Sequence, residues 1–530
     1  MIILSKRISL YYHTLRYLTF RQIYFQVIHR LKKAFLKQLP SEVILSIELQ
    51  LLNLSPSIPS RKSYLGNHTF VFLNKQKFFI EKIDWNFIGF EKLWIYNLNY
   101  FDFLLQDEIT KNDSIQLLDE FCVNISQRKE GIEPYPISLR GINWIKFFTY
   151  HQINNTKYNS VLYSHYRHLA NNLEYHLLGN HLLENGFSLL FGAHYFKDVG
   201  FYEKARRILI DELNEQILND GAHFELSPMY HQIILFRLLD IINLLKNNLW
   251  SHNDDLQIFL EAKAKKMLGW IKVITFSNGE IPMVNDSANG IAPDSFALLQ
   301  YGRKLGIEPE NVFLSDSGYR MICQPDFELF IDIGDIGPDY IPGHAHSDTF
   351  NFILYVKELP VIVDRGISTY SRNPQRILER STESHNTVKV NDLEQSEVWA
   401  SFRVGRRAKV ISINEQMSEI SAIHNGYHYL GINHQRTWQW EERKIKIIDS
   451  ILGESKISSC IAYFHFHPDV TVQIKDDLIT AGNLILSFTP NSYCTLDDYD
   501  FPEGFNVTKK AKRLKVSFTR TLKTIIVVND

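Results

Sequence analysis

The sequence predicts a multidomain α+β protein in which helices come first and an antiparallel β-sandwich follows. Three observations carry this reading. Before about residue 310, apolar residues recur at helical spacing in long segments joined by short Gly-, Asn-, Asp- and Pro-containing turns. After Gly318 the pattern changes to short, alternating, β-branched runs. The two patterns do not interleave, which excludes a parallel sheet wound with helices.

The chain opens with a basic preface. Lys6, Arg7, Arg16, Arg21, Arg30, Lys32, Lys33 and Lys37 precede the first acid, Glu42, and apolar residues such as Leu10, Leu15, Ile23, Val27 and Leu31 lie between them. This reads as a basic amphipathic helical arm over 1–60, packed on the body or contacting an anionic membrane. It has neither an uninterrupted apolar stretch nor a small-residue cleavage site, which predicts a cytoplasmic chain. Leu54–Lys62 reads as the loop leading into a helical domain over 61–310. Helices are expected at Ser114–Gln127, Tyr158–Leu178, Tyr202–Leu218, Met229–Asn248 and Leu256–Thr275, forming a bundle, solenoid or toroid of helix pairs. Residues 306–318 read as a linker. The sandwich domain, 311–530, is expected to hold strands at Phe327–Ile333, Phe350–Val356, Val361–Asp364, Thr387–Val390, Ala408–Ile413 and Lys444–Ile448. Further strands are expected at Ile457–Phe466, Val470–Ile474, Leu484–Phe488 and Thr524–Val528.

Composition narrows the function. Lys and Arg number 57 against 59 Asp and Glu, a formal net charge of −2, which gives no support for nucleic-acid binding. The four cysteines, Cys122, Cys323, Cys460 and Cys494, lie far apart and form no metal-binding or disulfide framework. No apolar run is long enough to cross a membrane. Aromatic residues make up 13 %, which suits a Phe- and Tyr-rich core and also platforms for sugar rings.

Three clusters could carry chemistry. In GNHLLENG, 179–186, a helix would place Asn180, His181 and Glu184 on one face, where a carboxylate can orient and activate an imidazole. The same residues also read as a helix cap with a core histidine. In HFELSPMYHQ, 223–232, Ser227 followed by Pro228 marks a helix start. That puts Tyr230 in the first turn, where the helix dipole favours a phenolate, although a packed core tyrosine fits as well. In GHAHSD, 343–348, His344 and His346 share a face if extended. VDRG at 363–366 and ESHNTV at 383–388 add Asp364 and His385, so that His346, Asp364 and His385 form a candidate zinc set.

Taken in order, GNHLLENG, SPMYH, GHAHSD, VDRG and SHNTV resemble the heparinase II/III-like polysaccharide lyases, which include heparin and heparan lyases and related alginate lyases. FHFHPDV at 464–470 resembles the family's sandwich domain, so the likeness spans residues 90 to 470. It implies an incomplete α/α toroid followed by an antiparallel β-sandwich. It also implies β-elimination on a uronic acid, in which the C5 proton is abstracted and the C4 oxygen expelled. Asn180, with His181, would neutralise the uronate carboxylate; Tyr230 would protonate the leaving oxygen; His344 would complete the acid–base set. His346, Asp364 and His385 would hold a largely structural Zn²⁺. Glu184 would orient the histidine or meet substrate, and Arg365, Tyr370, Arg372 and Arg380 would supply cationic or stacking subsites. The partner implied is an acidic polysaccharide, and the compartment implied is periplasmic or extracellular. The near-neutral charge argues against heavily sulfated heparin and for a uronate-containing bacterial surface or capsular polysaccharide. The alternatives are a uronosyl C5-epimerase of similar architecture and a non-catalytic polysaccharide-binding or assembly factor.

Overall fold

The structure, a computed structural model, describes residues 2–32, 49, 51–123, 125–250, 254–475, 478–489 and 492–529, with the side chains of 2–6, 32 and 126 excepted. The basic preface forms two helices, α1 (Ile2–Leu15) and α2 (Phe20–Lys32); Lys33 and Lys37 lie outside the described residues. A hairpin, Thr69–Phe72 with Lys75–Phe78, follows, and the sequence pattern had pointed to no strand there.

Among the described residues, nine α-helices then come in order: α3 (Lys92–Tyr100), α4 (Lys111–Cys122), α5 (Pro134–His151), α6 (Thr156–Asn171), α7 (Gly179–Phe196), α8 (Val199–Gln216), α9 (Pro228–Asn247), α10 (Asp254–Ile274) and α11 (Ser295–Lys304). Burial divides them into two layers. Nearly every residue of α5, α7 and α9 is buried, whereas α4, α8 and α10 each keep an exposed face. The inner helices pack side by side as α3–α5–α7–α9, and α5, α7 and α9 each pack on the outer helix that follows. This is the expected incomplete α/α toroid. The starts of α5, α7 and α9 lie side by side, where Tyr135 packs on His181 and Glu225 accepts the Asn180 backbone N–H. Asn180, His181 and Tyr230 stand at two of those N-termini.

The turn into α7 is strained. Leu178 has φ 63° and ψ −156°, a region almost reserved for glycine, and Gly179 follows at φ 55°. The strain fixes the direction in which Asn180 leaves the turn. The expected helix over Tyr158–Leu178 stops at Asn171, and Leu173–Leu178 forms the connection instead.

The C-terminal half is the expected antiparallel sandwich. One layer is an eight-stranded sheet running from Val410–Gln416 at one edge to Val472–Lys475 at the other. Its centre is the last strand, Thr521–Val528, paired with Lys444–Leu452 on one side and Leu484–Thr489 on the other. Two four-stranded sheets face it, Tyr319–Ile362 and Val388–Phe518 in overall span. Side chains from all three fill a common core that includes Leu329, Leu354, Val388, Phe464, Trp438, Ile447 and Leu486. The strand expected to start at Phe350 starts at Phe352, because Phe350 itself takes a left-handed turn at φ 71°. A short helix, α12 (Pro374–Glu379), interrupts the strands and carries Arg376 to the border between the halves.

The hand-over between halves depends on Gly318. Its φ is +73°, and a Cβ there would lie 2.1 Å from the Cα of Gly334. Gly318→Ala should therefore cost about 2–4 kcal/mol, from backbone strain and overpacking together. A urea unfolding midpoint equal to that of the parent chain would refute this close approach.

Candidate active site

The site is assembled around Asp286, a residue with no exposed surface in the loop between α10 and α11. Its Oδ2 lies 2.7 Å from His344 Nδ1 and its Oδ1 lies 2.9 Å from His346 Nε2. The Arg376 guanidinium donates to both carboxylate oxygens, at 2.7 Å for Oδ2 and through a second short bond to Oδ1. Burial alone would raise the Asp286 pKa, but Arg376 and the two imidazoles hold it well below the usual carboxylate range. Neighbouring residues of the same loop fix the frame. Asn285 Oδ1 accepts the His346 N–H at 2.8 Å, and the Ser227 hydroxyl donates to the Asp286 carbonyl at 2.9 Å.

Ser227 caps α9 as expected, its Oγ accepting the Tyr230 N–H at 3.3 Å. Tyr230 thus projects from the first turn onto His344, with ring centroids 4.1 Å apart, and its hydroxyl lies 3.0 Å from that of Tyr370. The phenolate favoured by the helix dipole does not prevail. Burial, then the adjacent Tyr370 hydroxyl, pushes the Tyr230 pKa well above 10, so the residue rests as a neutral phenol. On its other edge, His344 Nε2 lies 3.4 Å from Glu225 Oε2. Glu225 in turn accepts the Asn180 backbone N–H, and burial raises its pKa. Asn180, Glu225, His344, Tyr230 and Tyr370 form one connected group.

His181 is 35 % exposed and pairs with a carboxylate outside this group, although Glu225 also acts on its charge. Its carboxylate partner is Glu174, with Oε1 3.2 Å from Nδ1, and its ring packs on Tyr135 at 4.6 Å. The sequence reading had given that role to Glu184. Instead, Glu184 is fully buried, lies 3.1 Å from Arg237 Nε, and has a pKa pushed by burial to about 7. A cavity of about 650 Å³ lies against His181, walled by α2 through Phe25 and His29 and by Tyr96, Lys129 and Tyr175 of the toroid.

Two of the expected subsites are corrected. Arg365 and Arg380 do not reach solvent. Arg365 donates to the Ser384 hydroxyl at 3.2 Å and the Asp500 carbonyl at 2.7 Å. Arg380 donates twice to the Ala345 carbonyl, at 3.0 and 2.8 Å, and so braces the loop that carries His344 and His346. Tyr370 joins the site as described, and Arg372 is exposed at the start of the α12 segment.

The expected metal trio is brought close but is not arranged as a ligand set. His385 Nδ1 lies 2.7 Å from Asp364 Oδ2, so this carboxylate orients the imidazole, and its two oxygens also accept from Asn351 and from the Gly366 N–H. The rings of His346 and His385 are 5.3 Å apart. Among the described residues, no three His, Cys, Asp or Glu side chains stand in a metal-holding group. Three buried atoms here nonetheless lack any hydrogen-bond partner: His346 Nδ1, His385 Nε2 and Asp348 Oδ2.

Sequence reasoning missed Asp286, Glu225, Glu174 and Arg376. Glu225 lay within the HFELSPMYHQ segment, two residues before the helix cap. The other three carry no spacing signal, because each meets its partner only through the tertiary fold.

Burial lowers the His181 pKa, but the charge and hydrogen bond of Glu174 outweigh it and leave a net rise. The pair therefore adds stability at pH values below the ordinary imidazole pKa and loses it as pH rises through the elevated one. Glu174→Gln should move the His181 titration downward in histidine NMR spectra. An unchanged titration would count against this pairing.

Comparison with known proteins places this architecture. A heparan sulfate lyase mutant from Pedobacter heparinus matches with a TM-score of 0.59 at 14 % identity, over 88 % of this chain and 81 % of that one. A heparinase III matches with a TM-score of 0.64 at 14 % identity, over 84 % of this chain and 80 % of that one. These likenesses show a shared fold. No curated protein matches the chain in sequence. The model for the heparinase II/III N-terminus matches residues 143–304, and the model for the heparinase II/III-like C-terminal region matches residues 307–526. Together they run through both halves and both sides of the site. The chain belongs to the heparinase II/III-like family and is a lyase acting on polysaccharides.

Proposed function

We propose that the chain cleaves a uronic-acid-containing polysaccharide by β-elimination. The observation that carries this reading is the close-packed, tilted Tyr230–His344 pair, with His344 held by Asp286. With Nδ1–H directed at Asp286, the Nε2 on the edge facing Glu225 would be the atom that accepts a proton. In the proposed reaction His344 Nε2 takes the C5 proton, and the electron pair forms the C4–C5 double bond. The C4–O bond breaks, and the leaving oxygen receives the Tyr230 phenol proton. Transfer from the imidazolium back to the phenolate through solvent restores both groups. The high pKa of Tyr230 keeps the proton in place until the leaving oxygen develops charge. Asn180, fixed by the strained turn before it, would donate to the uronate carboxylate and so stabilise the enolate-like intermediate. The cavity beside His181 would take sugar units next to the reacting one, on Tyr96 and Tyr175 and near Lys129. A net charge of −2 favours a carboxylated bacterial surface or capsular polysaccharide over a sulfated one.

Tyr230→Phe keeps the ring packing and removes the donor, so activity should fall at least about a hundredfold. Cleavage is followed by the ultraviolet absorbance of the unsaturated uronate across a panel of uronic-acid polysaccharides. Full activity in the variant would remove Tyr230 from the acid role, and no absorbance on any substrate would sink the lyase assignment. Deuterium entering C5 without chain cleavage would point to epimerisation instead.

We also propose a structural zinc ion beside this site. The unpartnered His346 Nδ1, His385 Nε2 and Asp348 Oδ2 are donors of the right type, and Asp364 orients His385 from behind. Charge supports a cation as well. Asp332, Asp348 and Asp364 are buried together; burial and then Asp348 drive Asp332 well above the usual range, and burial holds Asp348 at about 6. Burial keeps His346 at about 3, so it is neutral and available as a ligand. A bound ion would hold the 346 and 385 loops together. Metal analysis should find about one zinc per chain, and chelation should lower the melting temperature. Zinc retained undiminished by His346→Ala would overturn the ligand set.

A further inference from the structure

The two arm helices have an inner and an outer face, and among the described residues only the inner one is occupied. On that face Phe25 stacks on Tyr175 at 4.9 Å, the Gln22 amide donates to the Tyr340 carbonyl at 3.1 Å, and the Trp399 indole donates to Thr14 at 3.1 Å. The outer face is apolar and open. On α1, Ile8, Tyr12 and Leu15 are each more than half exposed. On α2, Phe20 is 83 % exposed and Leu31 71 %, with Tyr24 and Val27 more than half exposed between them. Spacings of three and four residues place each set in a single stripe along its helix. Arg7, Arg16 and Arg30 are exposed on the same helices, and no Asp or Glu occurs before Glu42. Folded chains rarely leave so continuous an apolar surface uncovered.

Charge identifies what covers it. A second copy of the chain packed symmetrically on this face would bring the same cations together without a compensating acid. An anionic lipid surface satisfies both features, taking the apolar stripe among its acyl chains and the cations among its headgroups, with Tyr12 and Tyr24 at the boundary. With 14 and 13 residues, α1 and α2 are too short to cross a bilayer, and among the described residues no helix is long and apolar enough to do so. We propose that α1 and α2 lie flat on an anionic membrane as a peripheral docking surface. Because α2 also walls the cavity beside His181, docking sets the mouth of the cleft within about one helix diameter, roughly 10 Å, of the headgroups. This inference stands apart from the reaction proposed above.

The test is vesicle flotation of the purified full chain. Vesicles of phosphatidylcholine with phosphatidylglycerol should carry the protein at least about tenfold better than phosphatidylcholine alone, and high salt should weaken the binding. Two double variants, Phe20→Ser with Leu31→Ser and Arg30→Glu with Lys32→Glu, should each lose the interaction while keeping the parent melting temperature. The salt and lipid comparisons on the unmodified chain decide the matter even if a variant misfolds. Equal binding to both vesicle types, binding to neither, or a dimer in sedimentation that the same variants dissolve each overturns the proposal.

Discussion

The buried charge of Asp286 is the interaction on which the rest of the site depends. A carboxylate without solvent is costly unless its oxygens are fully matched, and here four donor atoms from three residues in two separate segments match them. Each donor gains a fixed position in return. His344 is oriented toward Tyr230, His346 is turned so that Nδ1 faces the carboxylate-rich pocket, and Arg376 brings α12 against the toroid. Removing the charge would leave Arg376 buried without its partner, so the reactive pair and the border between the halves stand or fall together.

A second buried network does the same for the loops behind the site. Arg436, on a strand of the large sheet, donates to the Phe350 carbonyl at 2.8 Å and the Asn386 carbonyl at 2.7 Å. Asp449 neutralises it and also meets His434 at 2.7 Å. The segments that carry His346 and His385 are therefore anchored to the sheet on one side and to Asp286 or Asp364 on the other. The site gains its rigidity from charge pairs set into two different cores, and the cleft lies where those cores meet.

Much of this was legible in the sequence, for identifiable reasons. The Ser227–Pro228 start of α9 is a local signal, since cap and first-turn residues act on their own neighbours, and it located Tyr230 correctly. Helical periodicity found α9 and α10 almost to the residue. It overran α6, because Leu173–Leu178 is apolar for packing in the connection. Roles that depend on distant partners were not legible. Nothing near His181 in sequence distinguishes Glu184 from Glu174, because both can reach a helix N-terminus and only the connection after α6 chooses between them. Arg365 and Arg380 looked like subsite cations because a sequence does not reveal which way an arginine points. Nor did helix-start geometry reveal that burial would keep Tyr230 protonated.

Early and late segments meet beside the site, where Phe505 packs on Tyr370. The Asn74 amide donates to the Phe505 carbonyl and the Asn506 amide to the Leu73 carbonyl, each at 2.9 Å, so the early hairpin and a late one clasp each other across more than four hundred residues. Thr14 likewise donates to the Val404 carbonyl at 3.2 Å. Contacts of such separation come late, because the loop they close must be ordered before they repay its entropy. The toroid can assemble helix by helix as it is synthesised, but its first hairpin waits for residues of the sandwich. The two halves are thus coupled in folding, and the early hairpin has no clasp until Phe505 and Asn506 are in place.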